Sequence, residues 1–327
     1  MKPIIPFALL GALLVGAAQA ASTTPVGYLT VDIAANGDTY ISPSLVEATV
    51  FASASSASPS GGSTITFSGS VPTGLDTTYV LEITSGTSEG WWSTVTSSTA
   101  TSITVNDAFP AGLPANTQVS VRKHSTLKTF LGLNAPGLIP FTGTGNADQV
   151  QVLNPVTQSV TIYSWVTAED WGAAEGVWMK TSDSSDGSNT IIEPGSAVKI
   201  KRFGGALSFV ATGTVKVTKT QVDIFPNFNW VGTPAAAGST LNGLQFNTQL
   251  TEYTGESANY DELQILRPAQ NVDTYVAADF APLTMMKFSD SSNAGTEPFK
   301  EGTGAVVRRL GATPASTITY PATVVGQ

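Results

Sequence analysis

The chain has 327 residues, a formal net charge of -9 and no cysteine, which excludes disulfides, thiol nucleophiles and thiolate metal sites. Only 12% of residues are charged and the pI is near 4.6, a balance that argues against nucleic acid and anionic membrane surfaces as partners. A single histidine, His124, cannot build a zinc site of two or three imidazoles.

Residues 1–20 read as a signal peptide. In "MKPIIPFALLGALLVGAAQA" one lysine, Lys2, precedes an apolar run from Ile4 to Ala18, and Ala18-Gln19-Ala20 is a small-x-small cleavage site. The run is shorter than the ~20 residues of a membrane span. The expectation is export to the periplasm, outer surface or extracellular space, with no transmembrane segment after cleavage. Export without disulfides suits a bacterial envelope protein.

From Ala21 onward the pattern is strand nearly everywhere. "VGYLTVDI", "STITFSG", "YVLEITSG", "TSITVND" and "TQVSVRK" alternate or are rich in β-branched residues, bounded by Gly, Pro, Asn and Asp. So do "DQVQVLNP", "QSVTIYSWV", "SAVKIKRF", "GTVKVTKTQVDIF", "DELQILRP" and "GAVVRRL". Helical character beyond the signal is confined to a short turn near "STLKTFLGL". The predicted fold class is all-β.

Internal comparison organises these strands. "DQVQVLNP" (148–155) reads against "DELQILRP" (261–268), and "MKTSDSS" (179–185) against "MKFSDSS" (286–292). "EPGSAVKIKRFG" (193–204) reads against "KEGTGAVVRRLG" (300–311), and "HSTLKTFLG" (124–132) against "GSTLNGLQF" (238–246). Openings at 26–45 and 212–234 compare more loosely. The reading is an internal duplication of a β-sandwich or barrel-like unit, the first at 21–51 plus 124–211 and the second at 212–327. Residues 52–123 have no counterpart and open on the linker-like "ASASSASPSGGS". They are expected to form an inserted small β-domain, SH3-like or a sandwich.

In each unit a turn, Glu193-Pro194-Gly195 or Lys300-Glu301-Gly302, leads into a strand ending in a basic pair, Lys201-Arg202 or Arg308-Arg309. The pattern predicts the last strand of a sheet with its exposed end closed by charge. An anion clamp is the second reading.

Several groups could carry chemistry. His124 with Ser125 lacks a G-x-S-x-G elbow and reads as a boundary residue bonded to its neighbours. Asp183 and Asp186 in "TSDSSDGSN" are candidate calcium ligands. EF-hand spacing fails there, because with Gly187 as the turn glycine the ligand positions fall on Ser182, Ser184 and Asp186. A solvated hairpin loop is the first reading, and no cofactor is expected beyond that calcium. Glu169-Asp170, Asp261-Glu262 and Glu82/Glu89 could serve as glycosidase pairs, but twenty-four acidic residues make such pairs inevitable. Trp165, Trp171 and Trp178, with Trp91-Trp92 in "EITSGTSEGWWSTVT", either fill cores or stack on sugars. Val276, Phe280 and Met286 are read as replacing the first three in the second unit, which favours filling. Strict alternation groups Trp91 with Ser93 and Val95, and Trp92 with Thr94 and Thr96.

"TTPVGYLTVDI", "YVLEITSGTSEGWWSTVTSSTATSITVNDAF", "TQVSVRKHSTLKTFLG", "GNADQVQVLNP" and "IIEPGSAVKIKR" occur in this order from Thr23 onward. Together they resemble a family of exported β-rich proteins of unknown function, found mainly in Verrucomicrobia-type bacteria. That family usually has an Arg-Trp pair after "EG", so the resemblance places an arginine at Trp91 and the tryptophan at Trp92. Some relatives end in a hydrophobic sorting tail; "TYPATVVGQ" carries none, so anchoring by that route is not expected. The resemblance implies no activity and supplies no catalytic residues.

These readings lead to an exported, non-catalytic structural or adhesive protein whose partners are itself or surface glycans. The alternative is a carbohydrate-binding module using Trp91, Trp92 and Trp171. A glycan hydrolase with a carboxylate pair comes last, and no pocket gathering tryptophan and carboxylate side chains as an enzyme cleft would is expected.

Overall fold

The computed structural model describes residues 25–59, 61–133, 137–233, 238–255, 258–279, 282–311 and 314–322. The expected signal peptide and Phe280 lie outside them. The fold is all-β: among the described residues the only helices are Leu127–Leu131, Ala168–Trp171 and Phe246–Gln249. None is long and apolar enough to cross a membrane.

Two five-stranded antiparallel sheets have the same strand order. The first runs Val177–Lys180, Ser159–Val166, Gln149–Asn154, Val198–Lys201, Asp38–Ile41. The second runs Thr284–Lys287, Val272–Ala278, Asp261–Leu266, Gly304–Arg309, Asn227–Gly232. Each is covered by a strand pair, Val26–Ile33 with Leu207–Val215 in the first case and Thr220–Ile224 with Ser316–Tyr320 in the second. Period-two alternation in Val26–Ile33 turns Val31 and Ile33 inward onto Val150, Tyr163 and Trp178. In the second sandwich Val222 and Ile224 meet Leu263, Tyr275 and Met285.

The correspondence extends to single bonds. Ser208 Oγ donates to Asp32 at 2.7 Å, and Thr317 Oγ1 donates to Asp223 at 2.9 Å. Leu127 N donates to Thr190 O at 3.1 Å, and Leu241 N to Glu297 O at 3.0 Å. Cross-strand register puts Trp165 opposite Trp178, and Ala277 opposite Met285. The residues standing for Trp165 and Trp178 are therefore Ala277 and Met285, not Val276 and Met286. A shift of one position reverses the face of the sheet.

The basic pairs are not edge charges. Val198–Lys201 and Gly304–Arg309 lie inside their sheets, each with a hydrogen-bonded strand on both sides. Arg202 is buried against Asp148, and Arg309 grips Asp261 at 3.0 and 3.1 Å. Lys201 is exposed, while Arg308 reaches Glu262 at 3.5 Å. The strand Leu207–Val215 also runs through position 212 as one continuous element on Val26–Ile33.

Residues 49–123 form a six-stranded sheet, ordered Thr49–Ala54, Gln118–Lys123, Tyr79–Ile83, Trp92–Ser98, Ser102–Val105, Thr64–Thr66. It encloses its own core of Ile65, Leu81, Ile83, Val95, Ile103 and Val121 among others. Its two edges meet where Ser56 N donates to Thr66 O at 2.8 Å, so the sheet curls into an open barrel. The sheet begins at Thr49, ahead of the stretch that reads as a linker.

The two sandwiches meet reciprocally. Ser42 N donates to Gly302 O at 3.0 Å, and Gly232 N to Gly195 O at 2.8 Å. The Gln270 carboxamide caps the backbone of Asp38 at 2.8 and 3.0 Å, while that of Gln158 caps Phe228 at 3.0 Å on both groups. Such an interface is isologous, like that of a two-fold dimer. The six-stranded sheet docks on one side of it through Gly90, whose φ of +94° no ordinary side chain favours. A Cβ there would stand 2.9 Å from the carbonyl carbon of Lys219.

Candidate functional site

Where the three bodies converge there is a cleft of about 790 Å³, within the roughly 300–1,000 Å³ of small-molecule sites. The six-stranded sheet contributes Trp91, Trp92 and Asp107, the first sandwich Tyr163 and Glu193, and the second Asp223 and Trp230. Indoles and carboxylates therefore share this cleft.

Each indole is held. Trp91 leans on its own core with its ring 5.1 Å from that of Phe109, and Ser93 and Val95 are buried on the same face. Trp92 takes the opposite face, where its Nε1 donates to Gln221 O at 2.9 Å. Alternation thus sorts the pair, yet both are half-buried because a second body covers the outer one. Trp230 stands edge-on to Tyr40 at 5.3 Å, with the Lys199 ammonium 5.7 Å from its ring.

The carboxylates follow from the reciprocal interface. In one half, Lys300 in the turn before Gly302 reaches Asp32 at 2.7 Å. In the other half the equivalent turn carries Glu193, and the strand position equivalent to Asp32 carries Asp223. A cation–carboxylate contact is thereby replaced by two acids. Asp107, held by Ser93 at 2.7 Å, adds a third. Glu193 is open to water at the cleft mouth, but the surrounding walls remove enough solvent to push its carboxyl above the ordinary glutamate value. Repulsion from Asp223 and Asp107 adds to the rise.

Trp171 lies elsewhere, at the end of Ala168–Trp171, packed with Phe141 on Val166, Val177 and Met179. Trp165 and Trp178 belong to the first sandwich core, with Trp178 fully buried. Asp183 and Asp186 are turn residues. Asp183 accepts from Ser185 N and Oγ at 3.0 and 2.6 Å and pairs with Lys180 at 3.0 Å, which lowers its carboxyl to about 2. Asp186 accepts from Ser188 N at 2.8 Å. Asp290 makes the same turn in the second sandwich, with Ser292 N and Oγ at 2.9 and 2.6 Å. Among the described residues no group of three His, Cys, Asp or Glu is arranged to hold a metal ion.

The acidic pairs are absorbed by the fold. Asp261 is buried on Arg309, and Glu82 is buried between Arg122 and Lys216. Burial draws the Lys216 ammonium below its ordinary value, with Glu82 opposing the fall. Glu89 lies 3.8 Å from Lys219, and Asp170 caps its helix with Thr167. His124 is buried where the barrel joins the first sandwich, its Nε2 3.1 Å from Thr94 Oγ1. Burial, then Arg122, lowers its imidazole to about 4. Among the described residues its Nδ1 and Thr220 Oγ1 have no hydrogen-bond partner, and both residues line a cavity of about 20 Å³, a size that takes one water.

Comparison of the chain with family models, curated proteins and solved structures returned no match. Sequence reading did not single out Trp230, Asp107, Glu193 or Asp223 as site residues. The signal for two of them was present: both sandwiches carry "VDI", at 31–33 and 222–224, while "EPG" faces "KEG" with its charge reversed.

Proposed function

We propose that this chain is an exported, non-catalytic structural or adhesive protein that holds glycan chains in the three-way cleft. The observation that carries this reading is the gathering of Trp91, Trp92 and Trp230 around Asp107, Glu193 and Asp223. Indole surfaces stack on the apolar faces of sugar rings, and carboxylates accept hydrogen bonds from their hydroxyls. The matching strand order of the two sandwiches supports one unit written twice, with the barrel inserted into the first copy. Trp171 is outside the cleft and is not assigned to binding.

The test is a glycan array followed by calorimetric titration of the best ligand. Trp230→Ala is expected to weaken binding at least about tenfold, the equivalent of ~1.4 kcal/mol, and Trp92→Ala likewise. Trp171→Ala should leave binding unchanged. Absence of binding to any glycan, or equal loss in Trp171→Ala, would sink the proposal. A second reading, glycan hydrolysis, draws on the raised Glu193 carboxyl beside the Asp223 and Asp107 carboxylates, the pattern of a general acid and its partner. Polysaccharide turnover that disappears in Glu193→Gln would establish it in place of the first.

A further inference from the structure

The strand Leu207–Val215 is paired along one side by Val26–Ile33, from Leu207 through Thr214. On its other side only Thr214 and Val215 are paired, with Val46 and Leu45. Val215 N donates to Pro25 O on the first side. By the alternation of an antiparallel ladder, the backbone groups of Ser208, Val210 and Thr212 then point to the second side. Among the described residues no strand pairs with them there. A groove of about 490 Å³ runs along this edge, walled by Leu45, Glu47, Phe130 and Leu131.

Comparable edges in the molecule are closed by glutamine. Gln270 and Gln158 cap Asp38 and Phe228, as described above. Gln249 caps Thr319, accepting from its N–H and donating to its carbonyl at 3.0 Å. Thr319 stands two residues beyond Thr317, as Val210 stands two beyond Ser208, so it is the equivalent of Val210 in the second sandwich. The same edge is therefore capped in the second sandwich and, among the described residues, unpaired in the first. "LSFVATGTV" carries no charge and no proline, whereas protected edges use lysine, proline or a bulge. Val210 is 61% exposed.

We propose that this open edge pairs with the same edge of a second copy, antiparallel, about a two-fold axis at Val210. The segment is complementary to itself: Ser208 meets Thr212, Val210 meets Val210, and the outward backbone groups of all three find donors and acceptors. The segment's complementarity to itself selects this occupant: the strand carries no charge of its own to add to the repulsion between two chains of net charge -9, and its neighbour Asp32 is already paired with Lys300. The result is one continuous sheet across both copies, independent of what the cleft binds.

Sedimentation velocity across a concentration series tests it. The wild type is expected to show a dimer that dissociates on dilution. Val210→Pro removes an outward N–H and Thr212→Lys places charge on the edge. Each should weaken the dimer roughly tenfold or more, the upper end of what one net hydrogen bond supplies. Val272→Lys, at an exposed apolar residue of the second sandwich, should leave it unchanged. Because the chain has no cysteine, Val210→Cys gives a clean cross-link, and oxidation should yield a covalent dimer. A monomer at every concentration together with a Val210→Cys variant that fails to cross-link would overturn the proposal. So would a dimer that survives both Val210→Pro and Thr212→Lys, or amide-exchange protection of Ser208, Val210 and Thr212 in the monomer, which would mean the chain's own segment covers the edge.

Discussion

Replacing Glu193 by lysine should stabilise the protein. The reciprocal interface already contains the product of that change, because Lys300 holds Asp32 at 2.7 Å in the other half. Those two side chains are 54% and 58% exposed, so their attraction is screened and worth about 0.2–1 kcal/mol. At Glu193 the substitution also removes repulsion of similar size from Asp223 and Asp107, giving a total gain of roughly 0.5–2 kcal/mol. Denaturant midpoints measured at low salt and at about 1 M salt, where the Debye length is ~3 Å, would read both the gain and its electrostatic origin. Lys300→Glu should lose a comparable amount. The pH dependence follows with its sign. Glu193 is raised in the folded state, so it favours folding fully below its ordinary 4.5, and that contribution disappears as pH rises through the folded value. Asp32, lowered chiefly by Lys300, acts oppositely: its contribution is present above 3.8 and is lost as pH falls through the folded value. A Glu193→Lys variant that is no more stable than wild type, or whose gain is untouched by salt, would refute the charge-reversal reasoning.

Two further outcomes follow from buried groups. Asp261→Asn leaves Arg309 buried without its carboxylate and should cost ~3–5 kcal/mol in equilibrium unfolding; a loss below ~1 kcal/mol would contradict the assignment. His124 is held neutral, so its contribution is complete above pH 6.5 and is lost as pH falls toward about 4, amounting to about 3 kcal/mol. A His124→Gln variant should lack that part of the acid slope, and an unchanged slope would assign it to other groups.

Much of the fold was legible because strand alternation is a local property. Val31 and Ile33 face a core in the sequence pattern and in the structure, since the pleat alone decides which side each residue takes. The pairing of Trp91 with Ser93 and Val95 follows from the same rule. That rule is blind to what lies across from a strand. Trp92 stands on the outward face, and the approach of Gln221 from another body helps to cover it. Arg202 and Arg309 read as charges at an exposed strand end because hydrogen-bonded neighbours on both sides of a strand are set by sheet order, which the local pattern does not contain. Asp261 looked like half of an acidic pair until the sheet order brought Arg309 against it.

The sequence by itself determined the chemistry available: no thiol, one imidazole, few charges, and strands almost throughout. It also carried the charge reversal between "EPG" and "KEG". Only the tertiary structure decided where that reversal acts, because Glu193 meets Asp223 from the other sandwich and Asp107 from the barrel. It likewise decided that one strand edge is capped by Gln249 while its equivalent at Val210 has no strand partner among the described residues. Both features arise from contacts between residues far apart in the chain, whose distances are set by packing and not by sequence separation.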